Sequence, residues 1–415
     1  MRILFLTQFF WPEMRTAPTN LGALAEDLSA KGHEVLVITG VPNHPLGKVY
    51  DGYQMKLWQW EEARGFKILR LPLFPDHSQS LFRRLLNYGS FTLSATILGM
   101  ILSRHFQPDV IFAYFAPLTA GLTVRIFRTI HQVPVVYWIT DIWPENFRAS
   151  DMAIGDRTYA WLRRFEDWGY KQAAAICVDS PGYKKNLLEK GMPEEKIHVV
   201  AEWADEALFY PVEREPALGE TFGLAGKFNI LYGGNLGPVQ KLDIAIEAAR
   251  QLTDLQDLQF VFIGDGNAEH QLKEMVASYE LTNVRFIPRQ PMEQMRHFFA
   301  WADVLLVHLK RVPIFELQLP SKVLAYMACG RPILNGVAGT VADIIDQAQC
   351  GLSFPPEDPQ AMADRVREFY QMPISERQAM GGRGRDAYLA QYSRSVQVER
   401  LEKILQKTAA QFHKS

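Results

Sequence analysis

The sequence has little cysteine and almost no net charge. Its three cysteines, Cys177, Cys329 and Cys350, form no C-x-x-C motif, which argues against a zinc knuckle or a disulfide framework and favours a reducing compartment. Because 44 basic residues are balanced by 46 acidic ones, the chain has no overall attraction for nucleic acid, and any membrane or anion site must be local. We therefore expect no nucleic-acid partner.

The start of the chain lacks the features of a secretory signal peptide. The run MRILFLTQFF is followed at once by Trp11-Pro12-Glu13, without a long apolar core or a small-residue cleavage site. We interpret the run as a buried first strand. The expected location is the cytoplasm, with peripheral contact at the inner membrane as an option.

Several ligand-binding motifs are also missing. The first predicted strand leads into TQFFWPEM instead of G-x-G-x-x-G, and the second ends in Thr39-Gly40 without an acidic residue, which excludes a dinucleotide dehydrogenase. No P-loop and no H-E-x-x-H motif occur, and the ten histidines show no metal-ligand spacing. No Asp-x-Asp pair occurs either, which argues against a sugar transferase that holds its nucleotide through a divalent metal. We expect no bound metal.

What the sequence does have is a repeated alternation of apolar strands and amphipathic helices. Residues 3–9 and the segment EVLVITG are apolar strand runs, and the helical spacing of NLGALAEDLSA lies between them. Such a strand, helix and strand imply a parallel sheet that is covered on both faces. The alternation continues to about residue 205 and starts again at FNILYGGNLG, and 415 residues are too many for one core.

The predicted fold class is therefore α/β, with two doubly wound, Rossmann-like domains. We place the first domain at residues 1–205 and the second at residues 206–382, with the linker near residues 201–211. The charged tail, residues 383–415, is predicted to be helical and could run back over the first domain. The two domains are expected to face one another across a central cleft.

One stretch has nearly the length of a membrane span. LFRRLLNYGSFTLSATILGMIL, residues 81–102, is mostly apolar, but five Asn, Ser and Thr residues dilute it and Arg83-Arg84 lie at its edge. This pattern suits a helix that lies at a membrane interface better than one that crosses the bilayer. A long helix packed on the sheet accounts for it equally well, and both interpretations stay open.

Glycines follow two of the predicted strands in the second domain. Gly234 and Gly237 lie in YGGNLG, with Asn235 between them, and GDG contributes Gly264 and Gly266. Glycine lets a backbone approach a ligand closely, and nucleotides bind at the carboxyl ends of neighbouring parallel strands in such sheets. Either turn alone is more often structural, but together they favour a nucleotide site in the second domain.

A lysine lies near the start of an otherwise apolar segment, LQLPSKVLAYMACGRPIL, residues 317–334. If the segment is a helix it is a buried one, because residues 323–327 leave no obviously polar face. A lysine in a protein interior needs a nearby anion or loses its proton. Ser321 and Lys322 are therefore candidates for an anion site at the start of the helix. Alternatively, Ser321 caps the helix and Lys322 extends to the surface.

These segments resemble the retaining glycosyltransferases of family 4, whose fold is called GT-B. In the second half the matching stretches are YGGNLGPVQKLDIAIEAA, FIGDGNAEHQLKEM, ADVLLVHL, PSKVLAYMACGRPIL and GTVADIIDQAQCGLSFPPEDPQAMADRV. In the first half they are FFWPEMRTAPTNLGALAEDLSAKGHEVLVITG, PNHPLGKVYDGY and TDIWPE. The stretches keep their order over most of the chain. The subgroup that they are most similar to builds colanic acid, capsule or O-antigen repeats.

The resemblance implies a nucleotide-diphosphate sugar as donor, with UDP, GDP or dTDP as the nucleotide, bound in the second domain. Lys241 lies where many members place a lysine on the donor pyrophosphate, although the arginine that accompanies it is missing. The base is expected near residues 287–289, which include Arg289.

The usual pair of glutamates in this family corresponds to Leu317 and Ala325 here. Neither is acidic, so the ribose contact that the second glutamate makes in relatives has no counterpart at that position. Some members of the exopolysaccharide subgroup carry Pro-Ser-Lys at this point, as this chain does at residues 320–322. The resemblance thus implies that Ser321 and Lys322 lie at the donor diphosphate.

On the acceptor side, Glu13 in WPEM and Asp141 in TDIWPE follow two predicted strands. Many relatives have a histidine at the position of Thr140, so a role as base or acceptor anchor is expected to shift to Asp141. Carboxylates at the carboxyl ends of parallel strands can bind hydroxyls or accept a proton, although either could instead cap the following helix. Arg15 stands where relatives often have glycine, and we expect it to add positive charge at the donor phosphates.

The sequence therefore supports the hypothesis of a retaining glycosyltransferase in exopolysaccharide, capsule or O-antigen synthesis. It would move a sugar from a nucleotide diphosphate to a saccharide linked to polyprenyl diphosphate at a membrane surface, with Asp141, Glu13 and Lys322 as catalytic residues and no required cofactor. Two alternatives stay open. One is a sugar-nucleotide epimerase of the same fold, and the other is a non-catalytic nucleotide-sugar-binding protein, which the missing glutamates allow.

Overall fold

The computed structural model describes residues 1–13, 16–76, 78, 80–146 and 155–412. The chain divides into two compact units: Met1–Glu202 with the chain from Gln397 onward, and Trp203–Val396. Each unit contains one sheet of mostly parallel strands with helices between them, as the predicted α/β class requires. Arg15 lies outside the described residues.

The first unit contains an eight-stranded sheet. Its strands are β1 (Arg2–Leu6), β2 (Glu34–Gly40), β3 (Gln59–Ala63), β4 (Phe66–Leu71), β5 (Val110–Tyr114), β6 (Val135–Ile139), β7 (Ala175–Val178) and β8 (Ile197–Val199). They are arranged in the order β3-β4-β2-β1-β5-β6-β7-β8, and all neighbours are parallel except the antiparallel pair β3 and β4. Strands that follow β1 in sequence are thus added first on one side of β1 and, from β5 onward, on its other side.

Helices connect these strands. They are α1 (Thr16–Ala30), α2 (Leu81–Ser94), a π-helical turn (Ala95–Gly99), α3 (Met100–Leu102), α4 (Ala120–His131), α5 (Asp156–Tyr170), α6 (Pro181–Glu189) and a short 3₁₀ turn (Glu194–Lys196). The strands that they cover are apolar throughout: every residue of β5 and β6 is buried. The central strands of the sheet are thus buried on both faces, as expected for parallel strands linked by helices, whereas the edge strand β3 is partly exposed.

The second unit contains a six-stranded sheet that is parallel throughout. Its strands are β9 (Phe228–Gly233), β10 (Leu258–Ile263), β11 (Val284–Ile287), β12 (Val304–His308), β13 (Ile333–Gly336) and β14 (Gly351–Ser353). They are arranged in the order β11-β10-β9-β12-β13-β14. The order reverses between β9 and β12, which is the place where open parallel sheets bind ligands at the carboxyl ends of their strands.

The helices of the second unit include the buried helix that the sequence predicts. They are α7 (Pro216–Thr221), α8 (Asp243–Arg250), α9 (Glu269–Ser278), α10 (Met295–Trp301), α11 (Ser321–Ala328), α12 (Thr340–Ala348), α13 (Pro359–Gln371), α14 (Ile374–Gln391) and α15 (Arg394–Phe412), with 3₁₀ turns at Pro238–Gln240, Met292–Gln294 and Pro313–Glu316. The six residues that follow Lys322 in α11 are all buried, which confirms the prediction. The helical tail is two helices, α14 and α15, and the second enters the first unit.

Residues 81–102 form one helical segment, α2 to α3, that has two different faces. Asn87, Phe91, Ala95 and Gly99 are buried at a spacing of four residues, and the Gln8 amide Nε2 donates to Asn87 Oδ1 at 2.6 Å. The stretch Phe82–Leu102 is long and apolar enough to cross a membrane, yet only 22% of its most apolar part is buried. The segment therefore packs on the unit through its inner face and leaves an apolar outer face exposed.

Candidate functional site

The two glycine turns of the second unit pack directly against each other. Gly264 has φ +148°, and a Cβ there would lie 1.9 Å from the Gly234 carbonyl oxygen. Gly266 has φ +159°, and its Cβ would lie 2.5 Å from the Leu236 carbonyl oxygen. Only glycine fits either position, because a side chain would collide with backbone. The structure thus brings the turns after β9 and β10 together at the carboxyl edge of the sheet.

The amides in these turns are largely committed to the protein itself. The Gly234 amide donates to Ile263 O at 2.9 Å, and the Gly264 amide donates to Ile287 O at 3.1 Å. Gly237 precedes the 3₁₀ turn at Pro238–Gln240, and a Cβ there would lie 2.5 Å from Asn235 Nδ2. The glycines therefore allow close approach of a ligand to the turns, while its charge must be met mainly by side chains.

Lys322 supplies a positive charge at this edge. It is the second residue of α11, and its ammonium donates to Tyr232 Oη at 2.5 Å. The Tyr232 hydroxyl in turn donates to the Asn235 carbonyl at 2.8 Å. The Lys322 Nζ lies 3.9 Å from the centroid of the Tyr232 ring and 3.4 Å from where a Cβ on Gly234 would stand. The side chain is directed to the glycine turn, in contrast to the surface-directed alternative.

Ser321 stands beside Lys322 but does not cap the helix. Pro320 occupies the N-cap position, and no side-chain capping hydrogen bond is formed there. Ser321 is instead the first residue of α11. At this end of a helix the first backbone N–H groups have no partner within the helix, and the helix dipole places partial positive charge there. The alternative in which Ser321 is the helix cap is therefore incorrect.

The electrostatic state of Lys322 is unusual for a lysine. Desolvation lowers the pKa of its ammonium to about 7, and Lys322 forms no ion pair with any residue that the structure describes. An anion placed beside it would restore the proton, because an opposite charge favours the ionised form. The combination of partial burial, missing counter-ion and adjacent glycine turn fits an anionic ligand such as a diphosphate.

The other predicted donor-side cations have carboxylate partners. Lys241 has a left-handed backbone, φ 47°, and its Nζ lies 2.9 Å from Asp243 Oδ2. Arg289 follows β11, and its side chain is 72% exposed. Its Nη1 lies 3.8 Å from Asp265 Oδ1. Lys241 follows the glycine turn after β9 in sequence, and Arg289 follows β11, the neighbour of β10 in the sheet. Each keeps donors that could reach a ligand, but the neighbouring carboxylate offsets part of its charge.

Sequence reasoning did not single out His308, which ends β12 at the reversal point. His308 is fully buried, its Nδ1 lies 2.9 Å from the Gln240 carbonyl oxygen, and its Nε2 accepts from the Glu357 amide at 3.1 Å. The proton therefore sits on Nδ1, and burial lowers the pKa of the ring. His308 holds the turn that precedes Lys241. The signal for it was a polar residue at the end of the strand ADVLLVHL.

In the first unit, Glu13 lies in the loop after β1. Its side chain is 2% exposed, and Oε1 accepts from the amides of Asn43 and His44 at 2.8 and 2.9 Å. Its Oε2 has no hydrogen-bond partner among the residues that the structure describes. Burial raises the pKa of this carboxyl to about 7, so Glu13 can gain or lose a proton near neutrality. Its position joins two loops at the carboxyl edge of the sheet.

Asp141 follows β6 and is exposed, accepting from Asn146 Nδ2 at 2.9 Å. The structure adds two carboxyls that the sequence analysis missed. Asp179 follows β7 and Glu202 follows β8. Burial, and then the neighbouring negative charges, raise the pKa of Asp179 well above its usual range and that of Glu202 to about 8. The polar end of the strand in AICVDS was the available signal for Asp179.

Glu13 and Asp141 lie in different electrostatic environments. The charge that acts on Glu13 is Arg70, whereas Asp141 acts on Asp179 and Glu202. Within the described ranges, no group of three His, Cys, Asp or Glu side chains could hold a metal ion. The carboxyls of the first unit are suited to binding hydroxyl groups, with Glu13 also suited to proton exchange.

Two family profiles match the chain. A profile described as "Glycosyl transferases group 1" matches residues 221–387, and one described as "Glycosyl transferase 4-like domain" matches residues 17–203. A protein named as a colanic acid biosynthesis glycosyl transferase, WcaI of Escherichia coli (strain K12), is 27% identical over 383 residues. The match covers 90% of this chain and 93% of WcaI.

Solved structures share the fold. Sucrose-phosphate synthase from Thermosynechococcus elongatus has a TM-score of 0.78 at 16% identity, covering 99% of this chain and 100% of that one. HepE of Anabaena, solved in complex with UDP and glucose, has a TM-score of 0.69 at 17% identity, covering 98% of this chain and 99% of HepE. At these identities the likeness is one of fold.

We predict that binding of a nucleoside diphosphate takes up a proton at Lys322. At about pH 8 the free ammonium is mostly deprotonated because its pKa is about 7, and a bound diphosphate restores the proton. Calorimetric titration with UDP, or with GDP or dTDP if UDP does not bind, in buffers of different ionisation enthalpy should show this uptake. Lys322→Met should abolish it, while Lys241→Met should keep it. Equal uptake by parent and Lys322→Met would assign the proton to another group.

Proposed function

The chain belongs to the family 4 glycosyltransferases and has their GT-B fold, and on that premise we propose that it transfers a sugar, with retention, from a nucleotide diphosphate to a lipid-linked saccharide. Because members of this family are glycosyltransferases, we favour a transferase over the two alternative hypotheses, a sugar-nucleotide epimerase and a non-catalytic binding protein. The proposed donor is a UDP-, GDP- or dTDP-sugar bound in the second unit.

The donor half of the proposal depends on one observation: the Lys322 ammonium lies beside Gly234, at the start of α11, without a carboxylate partner in the described chain. Negative charge grows on the departing diphosphate as the glycosidic bond breaks. A positioned cation and a helix dipole in a desolvated site stabilise that charge more in the transition state than in the bound donor. Lys241 and Arg289 would add to the electrostatic field around the phosphates.

The acceptor half of the proposal assigns Glu13 and Asp141 to the acceptor hydroxyl. That hydroxyl oxygen bonds to the anomeric carbon, the bond from this carbon to the diphosphate breaks, and the hydroxyl proton must leave. Glu13 has a carboxylate oxygen without a hydrogen-bond partner in the described part of the chain and a pKa of about 7, which suits it to accept a hydrogen bond or a proton near neutral pH. Asp141 is exposed at the end of β6, where it can anchor a second hydroxyl.

We place the reaction in the synthesis of a bacterial exopolysaccharide, capsule or O-antigen, with a saccharide on polyprenyl diphosphate as acceptor. The name of WcaI, which refers to colanic acid biosynthesis, supports this context. A lipid-linked acceptor would be presented at a membrane surface. The exposed apolar face of residues 81–102 supports such a location, because Leu93, Ile97 and Ile101 are 62, 50 and 56% exposed and recur every four residues along one helical face.

Transfer should proceed without a divalent metal. A screen of nucleotide sugars for a raised melting temperature identifies the donor, because tight ligands stabilise the folded state by mass action. With that donor and a lipid-linked saccharide acceptor, product formation followed by mass spectrometry should be unchanged in excess EDTA, and the product should keep the donor's anomeric configuration. Turnover that stops in EDTA and returns with manganese would contradict the proposed site.

Lys322→Ala should slow transfer strongly and leave the fold intact. Loss of one cation at the departing diphosphate costs on the order of 2 to 4 kcal/mol of transition-state stabilisation, comparable to removal of one oxyanion donor. Lys322→Arg should recover only part of the rate, because guanidinium and ammonium differ in reach and geometry. The measurement is kcat/KM, with circular dichroism and nucleoside binding as controls. Equal rates for Lys322→Ala and the parent protein would remove the residue from the mechanism.

Polar substitutions on the outer face of residues 81–102 should weaken membrane binding. Leu93→Asn with Ile97→Asn removes apolar surface that would be buried in the membrane. Burial of such surface stabilises the bound state by about 25 cal/mol per Å². Vesicle cosedimentation should show weaker binding for both neutral and anionic lipid. Ile374→Asn, at an exposed apolar position of the second unit, is the matched control. Binding that is equal in all three proteins would leave the segment as a packed helix only.

A further inference from the structure

The two arginines at the edge of residues 81–102 make contacts within the protein. Arg83 Nη1 lies 3.2 Å from Asp76 Oδ2, and Arg84 Nε donates to the Ser78 carbonyl at 2.9 Å. A neighbouring carboxylate offsets part of the charge that a guanidinium can present to another anion. Cations near the apolar face that have no carboxylate partner among the described residues are therefore also candidates for binding anionic lipid.

Helix α4 extends the apolar face of residues 81–102. Its Leu122, Ile126 and Ile130 recur every four residues and are 42, 38 and 59% exposed. The two segments are in contact, since Thr96 Oγ1 and Thr123 Oγ1 lie 3.1 Å apart. Because residues four apart lie on one side of a helix, α4 presents an apolar stripe next to the outer face of its neighbour.

A basic surface pocket lies along the other side of that stripe. It is shallow and open to solvent, and it is lined by Arg125, Arg128, Thr129 and Gln132 of α4 and its C-terminal end and by Phe412, the last residue of α15. Arg125 and Arg128 are three residues apart and therefore neighbours on the helix surface. Neither guanidinium forms an ion pair or a side-chain hydrogen bond within the described ranges of the chain. Two cations without a carboxylate partner among the described residues thus share one surface pocket.

We propose that this pocket binds the phosphate of an anionic phospholipid headgroup, with Arg125 and Arg128 as the donors. Guanidinium groups pair with phosphate oxygens through two parallel hydrogen bonds, and an open pocket at the surface is accessible to a headgroup in a bilayer. Leu122, Ile126 and Ile130 would enter the acyl boundary beside the headgroup. The inference rests on the proposed membrane contact and names the lipid chemistry that it recognises.

The apolar stripe is the reason for choosing a lipid over a soluble phosphate. A site for a free phosphate has no need of three exposed aliphatic side chains on the same helix, whereas an interfacial helix pairs a basic strip with an apolar one. The arrangement places charge at headgroup depth and aliphatic groups below it. Anionic lipid in the cytoplasmic leaflet attracts such basic groups by about 1 kcal/mol each.

The test uses the full chain and two kinds of vesicle, phosphatidylcholine alone and phosphatidylcholine with phosphatidylglycerol. Arg125→Gln with Arg128→Gln should lower affinity for the anionic vesicles by about thirty-fold, as expected for two basic side chains, and leave affinity for neutral vesicles unchanged. Arg83→Gln with Arg84→Gln changes the net charge equally and is the matched control, with a smaller expected loss. Glycerol phosphate at millimolar concentration should not compete.

Several outcomes would overturn the assignment. Equal anionic binding by the Arg125 and Arg128 variant and the parent would do so, as would a greater loss in the Arg83 and Arg84 control. Competition by glycerol phosphate would indicate a site for a soluble phosphate, and failure of the parent to bind either vesicle would remove the membrane contact itself. Transfer to a soluble acceptor mimic, measured in parallel, should be unaffected by the substitutions. That assay separates failure of this site from failure of the proposed reaction.

Discussion

Burial of the central strands of both sheets on both faces is the constraint on which the rest of this structure depends. Strands such as β5, β6 and β10 are buried along their whole length, so their faces carry no polar function. Polar groups are confined to the carboxyl ends of strands and the loops and helix starts beside them. Glu13 and Asp179 in the first unit, and His308 and Lys322 in the second, all lie in such places. Burial of the strands therefore both stabilises the fold and restricts where a binding site can form.

Glu13 and Lys322 both lower the free energy of unfolding of the unliganded protein, and the pKa shifts that show this have opposite directions. The pKa of Glu13 is raised to about 7, so its burial costs nothing below the unfolded value and destabilises the fold increasingly as pH rises to about 7. The pKa of Lys322 is lowered to about 7, so its cost is absent above the unfolded value and grows as pH falls to about 7. Near neutrality both costs are close to their maximum. A hydroxyl donor at Glu13 and an anion at Lys322 would each reduce them.

The helical segment 81–102 shows how one element serves two requirements. Its inner line holds the fold: Asn87 is fully buried and bonded to Gln8, and Phe91 and Ala95 pack beside it. Its outer line is aliphatic and exposed, which a water-soluble surface does not require. Polar residues that dilute the segment in sequence are explained mostly by inward contacts. Together with α4, the outer line forms a surface whose composition matches a membrane interface.

The alternation of apolar runs and helical spacing was enough to predict two α/β units, because these patterns repeat every two or 3.6 residues and lie within short stretches of chain. The glycine turns at Gly234 and Gly264 and the buried helix after Lys322 were visible for the same reason. The sequence pattern located the strands, and therefore the edges at which a ligand can bind.

Tertiary structure alone decided which charges remain available. Lys241 is paired with Asp243 and Arg83 with Asp76, whereas Arg125 lies beside Phe412, 287 positions further along the chain, without an ion pair in the described residues. Neither the pairing nor the desolvation of a side chain is encoded by the spacing of its neighbours in sequence. Both depend on which elements meet and how much water they exclude, and the strength of a charge depends on that exclusion.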